Sequence, residues 1–429
     1  MIAQCETLQD WDFGICMFRF RTWYAIHNSF DTALQTLLED ATRDVRQRPP
    51  DVALLFVNQP LAQRADDARE AVRQALRPRA LVGATSSGVI ADAYEWEREP
   101  ALVLMAGWLP GVQVHAFALR PPDWRAVLQD ATEFCVRTHL SRQTRAVLLL
   151  ADPFTTPIEH VLDAFNTFVP GVPVIGGLAS ITAGGNRLFA GDKTHKAGLV
   201  GLTLSGNVDV DVVVSTGCRP ISPVFKVTGA RDNVILSLNH QPPFDHIQAL
   251  VDRMGDIERE ALARGGLLIG RAVGSYRDRD DLMQTGEFLI RNILGVDAST
   301  GAIAIGDEIH RGALVQFFLH DAEAAADDLA MRLTPQQLYE PPAGVWLFSC
   351  NGRGTNLYGA PNGDVQIVRG VLGDVPLAGM FCAGEIGLLG GQNFLHGHTA
   401  CVALLRPAES DEAVNAHAEA LEVPSACLP

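Results

Sequence analysis

The sequence predicts an α/β protein of the layered α+β kind, with mixed β-sheets flanked by helices and built from repeated strand-helix-strand-hairpin units in two domains. Three observations predict it. Runs such as DVALLFVNQP (51–60) and RAVLLLADP (145–153) are apolar without alternation, as in strands covered on both faces. Segments of helical period separate them. One order of elements also returns three times, with the first strand and the glycine-bearing strand starting about 30 residues apart.

The first copy runs DVALLFVNQP (51–60), an Arg/Asp/Ala-rich helix over 61–77, and LVGATSSG (81–88). The hairpin ALVLMAGW and VQVHAFAL follows, turning at Leu109-Pro110-Gly111. The second runs RAVLLLADP, a helix over 157–169, VPVIGGLAS (172–180), and the hairpin GLVGLTLS and VDVDVVVSTG turning at Gly206-Asn207. The third runs GVWLFSC (344–350), a glycine-rich stretch, VPLAGMFCAGEIG (375–387) and HTACVALL (398–405). Ahead of the first copy, Phe30, Ala33, Leu34, Leu37, Leu38 and Ala41 predict a helix from Ser29 to Val45, capped by Ser29 or Asp31. Pro242 and Pro243 open another helix, FLIRNILGVDASTGAIAIGD reads as a hairpin, and 321–333 as an amphipathic helix. These signals divide the chain into an extension (1–28), a first domain (29–241), a second domain (242–407) and a polar tail (408–429), with the boundary near Gln241.

Composition narrows function. The 429 residues are 47% hydrophobic and carry a net charge of −16, which repels phosphate backbones and anionic lipid surfaces. No apolar run reaches the 18–20 or so residues of a membrane helix, and MIAQCETLQDWD lacks the basic region of a signal peptide. Eight scattered cysteines without C-x-x-C fit a reducing compartment. The expectation is a cytoplasmic protein without nucleic-acid or membrane partners.

Nucleotide motifs are missing, since no G-x-x-x-x-G-K-[ST] occurs and the glycine clusters lack G-x-G-x-x-G spacing. GLASITAGG (177–185) has the composition of an anion-binding nest or a plain turn. ATSSG (84–88) is a degenerate nucleophile elbow at Ser86, but no helical stripe follows, so an ordered polar turn is the better reading. In FSCNGRG (348–354), Cys350 ends an apolar strand and Arg353 has the chemistry to clamp a carboxylate bidentately. CAGEIG (382–387) sets Glu385 among small residues, and GGQNFLHGHT adds His396 and His398, which lack the further ligands of a zinc motif but offer imidazoles for a haem iron.

LVGATSSGVI, VPVIGGLAS, HKAGLVGLTLSG and the combination FSCNGRG, AGMFCAGEIG and GGQNFLHGHTACVAL resemble the FIST family, paired N- and C-terminal domains of intracellular signal transduction, over roughly 51–406. The resemblance implies a sensory module for small ligands, such as amino acids or small carboxylates, that signals through a separate partner protein. For some bacterial members it implies haem-based nitric oxide sensing. It supports Thr85, Ser86, Gly176, Gly177, Cys350, Arg353 and Glu385 as pocket residues. With Asn351 added from the same turn, the expected ligand site has Arg353 on a ligand carboxylate, Thr85, Ser86 and Asn351 orienting it, and glycines allowing close approach. No catalytic constellation is evident. The alternatives are a haem sensor ligated by His396, His398 or Cys350, and a serine or thiol hydrolase using Ser86 or Cys350.

Overall fold

The computed structural model describes residues 18–45, 48–181, 184–274 and 287–408. Most of the predicted extension and almost all of the predicted tail therefore lie outside the described residues. Three six-stranded sheets and one closed barrel carry the fold. In spatial order the first sheet is Arg19–Ile26, Ala101–Trp108, Val52–Asn58, Ala80–Ser86, Leu188–Ala190 and Lys193–His195. The second is Val112–Leu119, Leu199–Gly206, Thr144–Ala151, Val174–Leu178, Glu385–Leu389 and Gln392–His396. The third is Asp209–Ser215, Ala400–Arg406, Gly344–Cys350, Leu377–Cys382, Val89–Ala91 and Tyr94–Trp96. Each is mixed, with one parallel pair at its centre.

The three repeated copies are these three sheets, and the structure adds how they interlock. The hairpin that follows each glycine-bearing strand pairs with the glycine-bearing strand of another copy. Val89–Trp96 leaves the first copy and completes the third sheet on Leu377–Cys382. Leu188–His195 leaves the second and completes the first sheet on Ala80–Ser86. Glu385–His396 leaves the third and completes the second on Val174–Leu178. Sheets thus join strands from both sides of Gln241.

The two predicted hairpins at Leu109-Pro110-Gly111 and Gly206-Asn207 are corrected by the structure. The chain reverses at both places, but Ala101–Trp108 pairs with Val52–Asn58 while Val112–Leu119 joins the second sheet. Leu199–Gly206 and Asp209–Ser215 part in the same way. A tight turn fixes reversal, not pairing. Here the two strands of each turn find their partners in different sheets. The hairpin Glu287–Val296 with Ile303–Ile305 does form, inside the barrel. The barrel runs Leu314–His320, Phe225–Arg231, Val234–Leu238, Ile303–Ile305, Glu287–Val296 and Leu267–Val273, and closes back on Leu314–His320.

Inner faces of all three sheets meet in one core, with Phe56, Val82 and Met105 from the first, Leu148, Ile175 and Leu202 from the second, and Trp346, Phe348 and Met380 from the third. Helices cover the outer faces. Phe30, Ala33, Leu37, Ala41 and Val45 of the helix Phe30–Val45 recur at helical spacing and are buried against the first sheet. Ile158–Phe168 covers the second sheet. Ala322–Leu333, whose N-terminus Asp321 caps through Ala324 N at 3.0 Å, packs on the third with Gly363–Leu372. The last helix occupies the stretch that reads in sequence only as glycine-rich.

Gly83, Gly176 and Gly379 occupy one position of the three copies. They stand in register with Leu55, Leu149 and Leu347 on the parallel neighbour, and a Cβ on any of them would run into that leucine's carbonyl oxygen. Because the obstacle is backbone at a sheet centre, Gly379→Ala is expected to destabilise the fold by about 3 kcal/mol or more, the upper range of overpacking. Urea denaturation beside an exposed control such as Gly370→Ala checks this.

Candidate functional site

The C-terminal ends of the parallel pair Val52–Asn58 and Ala80–Ser86 open into a cleft of 660 Å³ lined by Gln59, Gln63, Ser87, Glu97, Arg98, Gly184, Gly185 and Arg187. Strand ends of this kind are where open α/β sheets hold ligands. Thr85 is buried behind Arg187 and holds its backbone: Arg187 N donates to the Thr85 hydroxyl at 2.8 Å, and Thr85 N donates to Arg187 O at 2.9 Å. Arg187 Nη1 rests on the carbonyls of Gly185 and Asn186, both at 3.1 Å. Of the predicted nest, residues 182 and 183 lie outside the described residues, and what Gly184 and Gly185 offer Arg187 is carbonyl oxygen.

Beneath the cleft the three copies meet in a hydroxyl network. Ser87 Oγ donates to Asn351 Oδ1 at 2.6 Å, and Ser87 N donates to Ser180 Oγ at 2.9 Å. Ser86 Oγ lies 2.6 Å from the carbonyls of both Phe381 and Gly88, and Ser180 Oγ lies 2.7 Å from Phe381 O. Ser86 is fully buried and its hydroxyl is taken by carbonyls, so it has the setting of a strand lock and not of a nucleophile. Asn351 N donates to Cys382 O at 2.9 Å.

Arg353 sits below this floor, fully buried. Its bidentate partner is internal: Nε and Nη2 donate to Asp364, the shortest bond 2.7 Å, and Nη2 reaches Tyr358 OH at 2.8 Å. Ser349 and Tyr358 complete the Asp364 carboxylate at 2.6 and 2.8 Å. Burial alone would raise the Asp364 pKa, but the Arg353 charge and these bonds hold it below the usual carboxylate range. The exchanged hairpin adds Glu95, whose carboxylate accepts from Val365 N at 3.0 Å, and Glu97, which accepts from Thr355 N and Oγ1 at 2.8 and 2.6 Å. Burial, and then the Asp364 charge, push Glu95 up to about 7.

On the barrel side lie Cys350, Glu385, His320 and His398. Glu385 is paired in register with Gly177, where a side chain would collide with Cys382, and its neighbour Ile386 is paired with Gly176. Thus Gly176 and Gly177 admit the hairpin that carries Glu385. Glu385 Oε2 accepts from Thr399 N at 3.2 Å, and burial raises its pKa well above the carboxylate range. The structure therefore brings Ser86 and Asn351 together with Ser87 and Ser180, gathers Cys350, Arg353 and Glu385 elsewhere, and leaves Thr85, Gly176 and Gly177 to shape backbone.

Profiles of the FIST N domain and the FIST C domain match residues 51–241 and 243–388. The chain belongs to the FIST family. FIST domains are associated with sensory roles in signal transduction. The chain is 38% identical over 360 residues to the uncharacterized protein Rv0628c of Mycobacterium tuberculosis, covering 83% of this chain and 91% of that protein. It is 37% identical over 361 residues to the uncharacterized protein Mb0898c of Mycobacterium bovis, covering 83% and 90%. A solved cyanuric acid hydrolase aligns at 9% identity and a TM-score of 0.30, over 91% of this chain and all of that one.

In this FIST pair the histidines do not fit a haem. His396 is 2% exposed and its Nε2 meets Gly387 O at 3.1 Å. His398 Nε2 meets Asn292 Oδ1 at 3.0 Å, and its Nδ1 faces the Gly352 turn and His320 instead of a flat apolar slot. Burial also drives the Cys350 thiol up to about 12, against the thiolate an iron would need. Sequence reasoning missed Ser87, Arg98, Arg187 and Asp364. Only Arg187, next to Gly184-Gly185-Asn186, carried a local signal.

Two outcomes follow from the buried charges. Arg353→Met leaves Asp364 uncompensated and is expected to cost about 3–5 kcal/mol in urea denaturation. Glu95 titrates near 4.5 when unfolded and about 7 when folded, so between those values the folded state holds the extra proton and stability falls as pH rises. Glu95→Gln is expected to flatten that slope in denaturation curves taken from pH 4.5 to 7.5.

Proposed function

We propose that this FIST protein is a cytoplasmic sensor that binds a small carboxylate, amino acids among them, in the 660 Å³ cleft and signals through a separate partner. The observation that carries the reading is the pair of arginines there. Arg98 is exposed and Arg187 half-buried at one strand-end cleft of a chain whose net charge is −16. Both guanidinium groups suit a carboxylate, and the Ser87 hydroxyl orients its other end. No helix among the described residues is long and apolar enough to cross a membrane.

Occupancy has a route into the fold. Ser87 belongs to the first copy and its bond partner Asn351 to the third, so a ligand that takes the Ser87 hydroxyl alters a bond between copies. The test is calorimetric titration with amino acids and small carboxylates. One member of the panel is expected to bind, and Arg98→Ala with Arg187→Ala is expected to weaken it about tenfold or more, the loss of one charge-assisted bond. Binding that is unchanged in the folded double variant, or no binding by any carboxylate, overturns the proposal.

A further inference from the structure

Cys350, at the end of its strand, is partly exposed. A Cβ on Gly352 would lie 3.7 Å from Cys350 Sγ, 3.5 Å from His398 Nδ1 and 3.8 Å from the His320 ring, so thiol and imidazole border one small space. His398 Nδ1 has no hydrogen-bond partner, while its Nε2 is tied to Asn292 Oδ1 at 3.0 Å. That bond places the ring proton on Nε2 and leaves the Nδ1 lone pair free. The His320 ring packs edge-on against His398 at 4.9 Å and fixes its plane.

Three further features mark the place. His398 holds a left-handed backbone, φ +61°, a strain that a β-carbon-bearing residue keeps only when its surroundings impose it. Gly352 N donates to Cys350 Sγ at 3.4 Å. The fully buried Glu385 carboxyl neighbours the thiol, and the fully buried Arg353 adds a positive charge to the same surroundings.

We propose that Cys350, His398 and Asn292 form a thiol acyl-acceptor site, with Cys350 the nucleophile, His398 the base and Asn292 the residue that positions the imidazole. Its substrates are small activated acyl groups, esters or thioesters. The Cys350 thiol gives its proton to His398 Nδ1 as Sγ bonds the acyl carbon. The C–O or C–S bond to the leaving group then breaks, and the leaving alkoxide or thiolate takes that proton from His398. The product is a thioester on Cys350. Burial and the Arg353 charge keep His398 neutral, the form a base requires, and burial keeps Cys350 a thiol until a substrate arrives.

The experiment is acetylation of the full chain by p-nitrophenyl acetate, followed by nitrophenolate release and by peptide mass spectrometry. Acetyl is expected on Cys350, ahead of Cys218, Cys382 and Cys401. His398→Gln is expected to slow release on the order of 100-fold. Asn292→Leu is expected to slow it, and Asn292→Asp, which keeps an acceptor oxygen, to restore it. Acetyl on other residues with Cys350 untouched overturns the proposal, as does a wild-type rate in folded His398→Gln. Should His398→Gln fail to fold, the two variants of exposed Asn292 decide alone, and equal rates in both overturn it.

Discussion

Each sheet of the three-sided body is completed by a hairpin from another copy, and the pairing of that hairpin with a glycine-bearing strand is the contact on which the remaining structure hangs. It works because the glycine-bearing strands pack close enough to their parallel neighbours that no side chain fits at Gly83, Gly176 or Gly379. A copy on its own would expose a strand edge, and edges attract wrong partners. Exchange covers the edges of all three glycine-bearing strands at once. It also makes folding a non-local affair, since the hairpin at Glu385 must find a strand more than two hundred residues earlier.

Exchange also explains why polar groups lie so deep. The hairpin carrying Glu95 and Glu97 ends on the helices that follow Arg353, and the hairpin carrying Glu385 passes beside Cys350. Buried acids there are resolved in two ways. Asp364 keeps its charge because Arg353, Ser349 and Tyr358 satisfy it, whereas burial dominates at Glu385 and raises its pKa well above the carboxylate range. The open cleft, by contrast, keeps its arginines near water.

Much of this architecture is legible in the sequence, and the limits have physical reasons. Apolar runs with glycine near the middle announce the strand pairs, because burial on both faces leaves that mark whatever the partner. The partner itself leaves none. ALVLMAGW and VQVHAFAL read as a hairpin because a turn lies between them, and nothing local says that each is better paired elsewhere. Arg353 reads as a ligand clamp for a similar reason: its carboxylate, Asp364, hides in Asn-Gly-Asp, which has the look of a surface turn. Arg98 and Asn292 read as ordinary surface residues, and only folding sets them beside Ser87 and His398.

The outer strands of the sheets carry a last consequence. Val112–Leu119 and Asp209–Ser215 each continue by a short turn from the inner strand of the preceding copy, but Arg19–Ile26 fills the same place in the first sheet with no such turn. Its Phe20 nonetheless lies against Gly344 of the third copy, beside the strand ending at Arg406. In topological terms the body is a ring cut once, between Arg406 and Arg19. A covalent closure there would break no ladder, and the cut could be moved to either of the two short turns, so the order in which the copies are read along the gene is a convention of this ring and not a property of its hydrogen bonds.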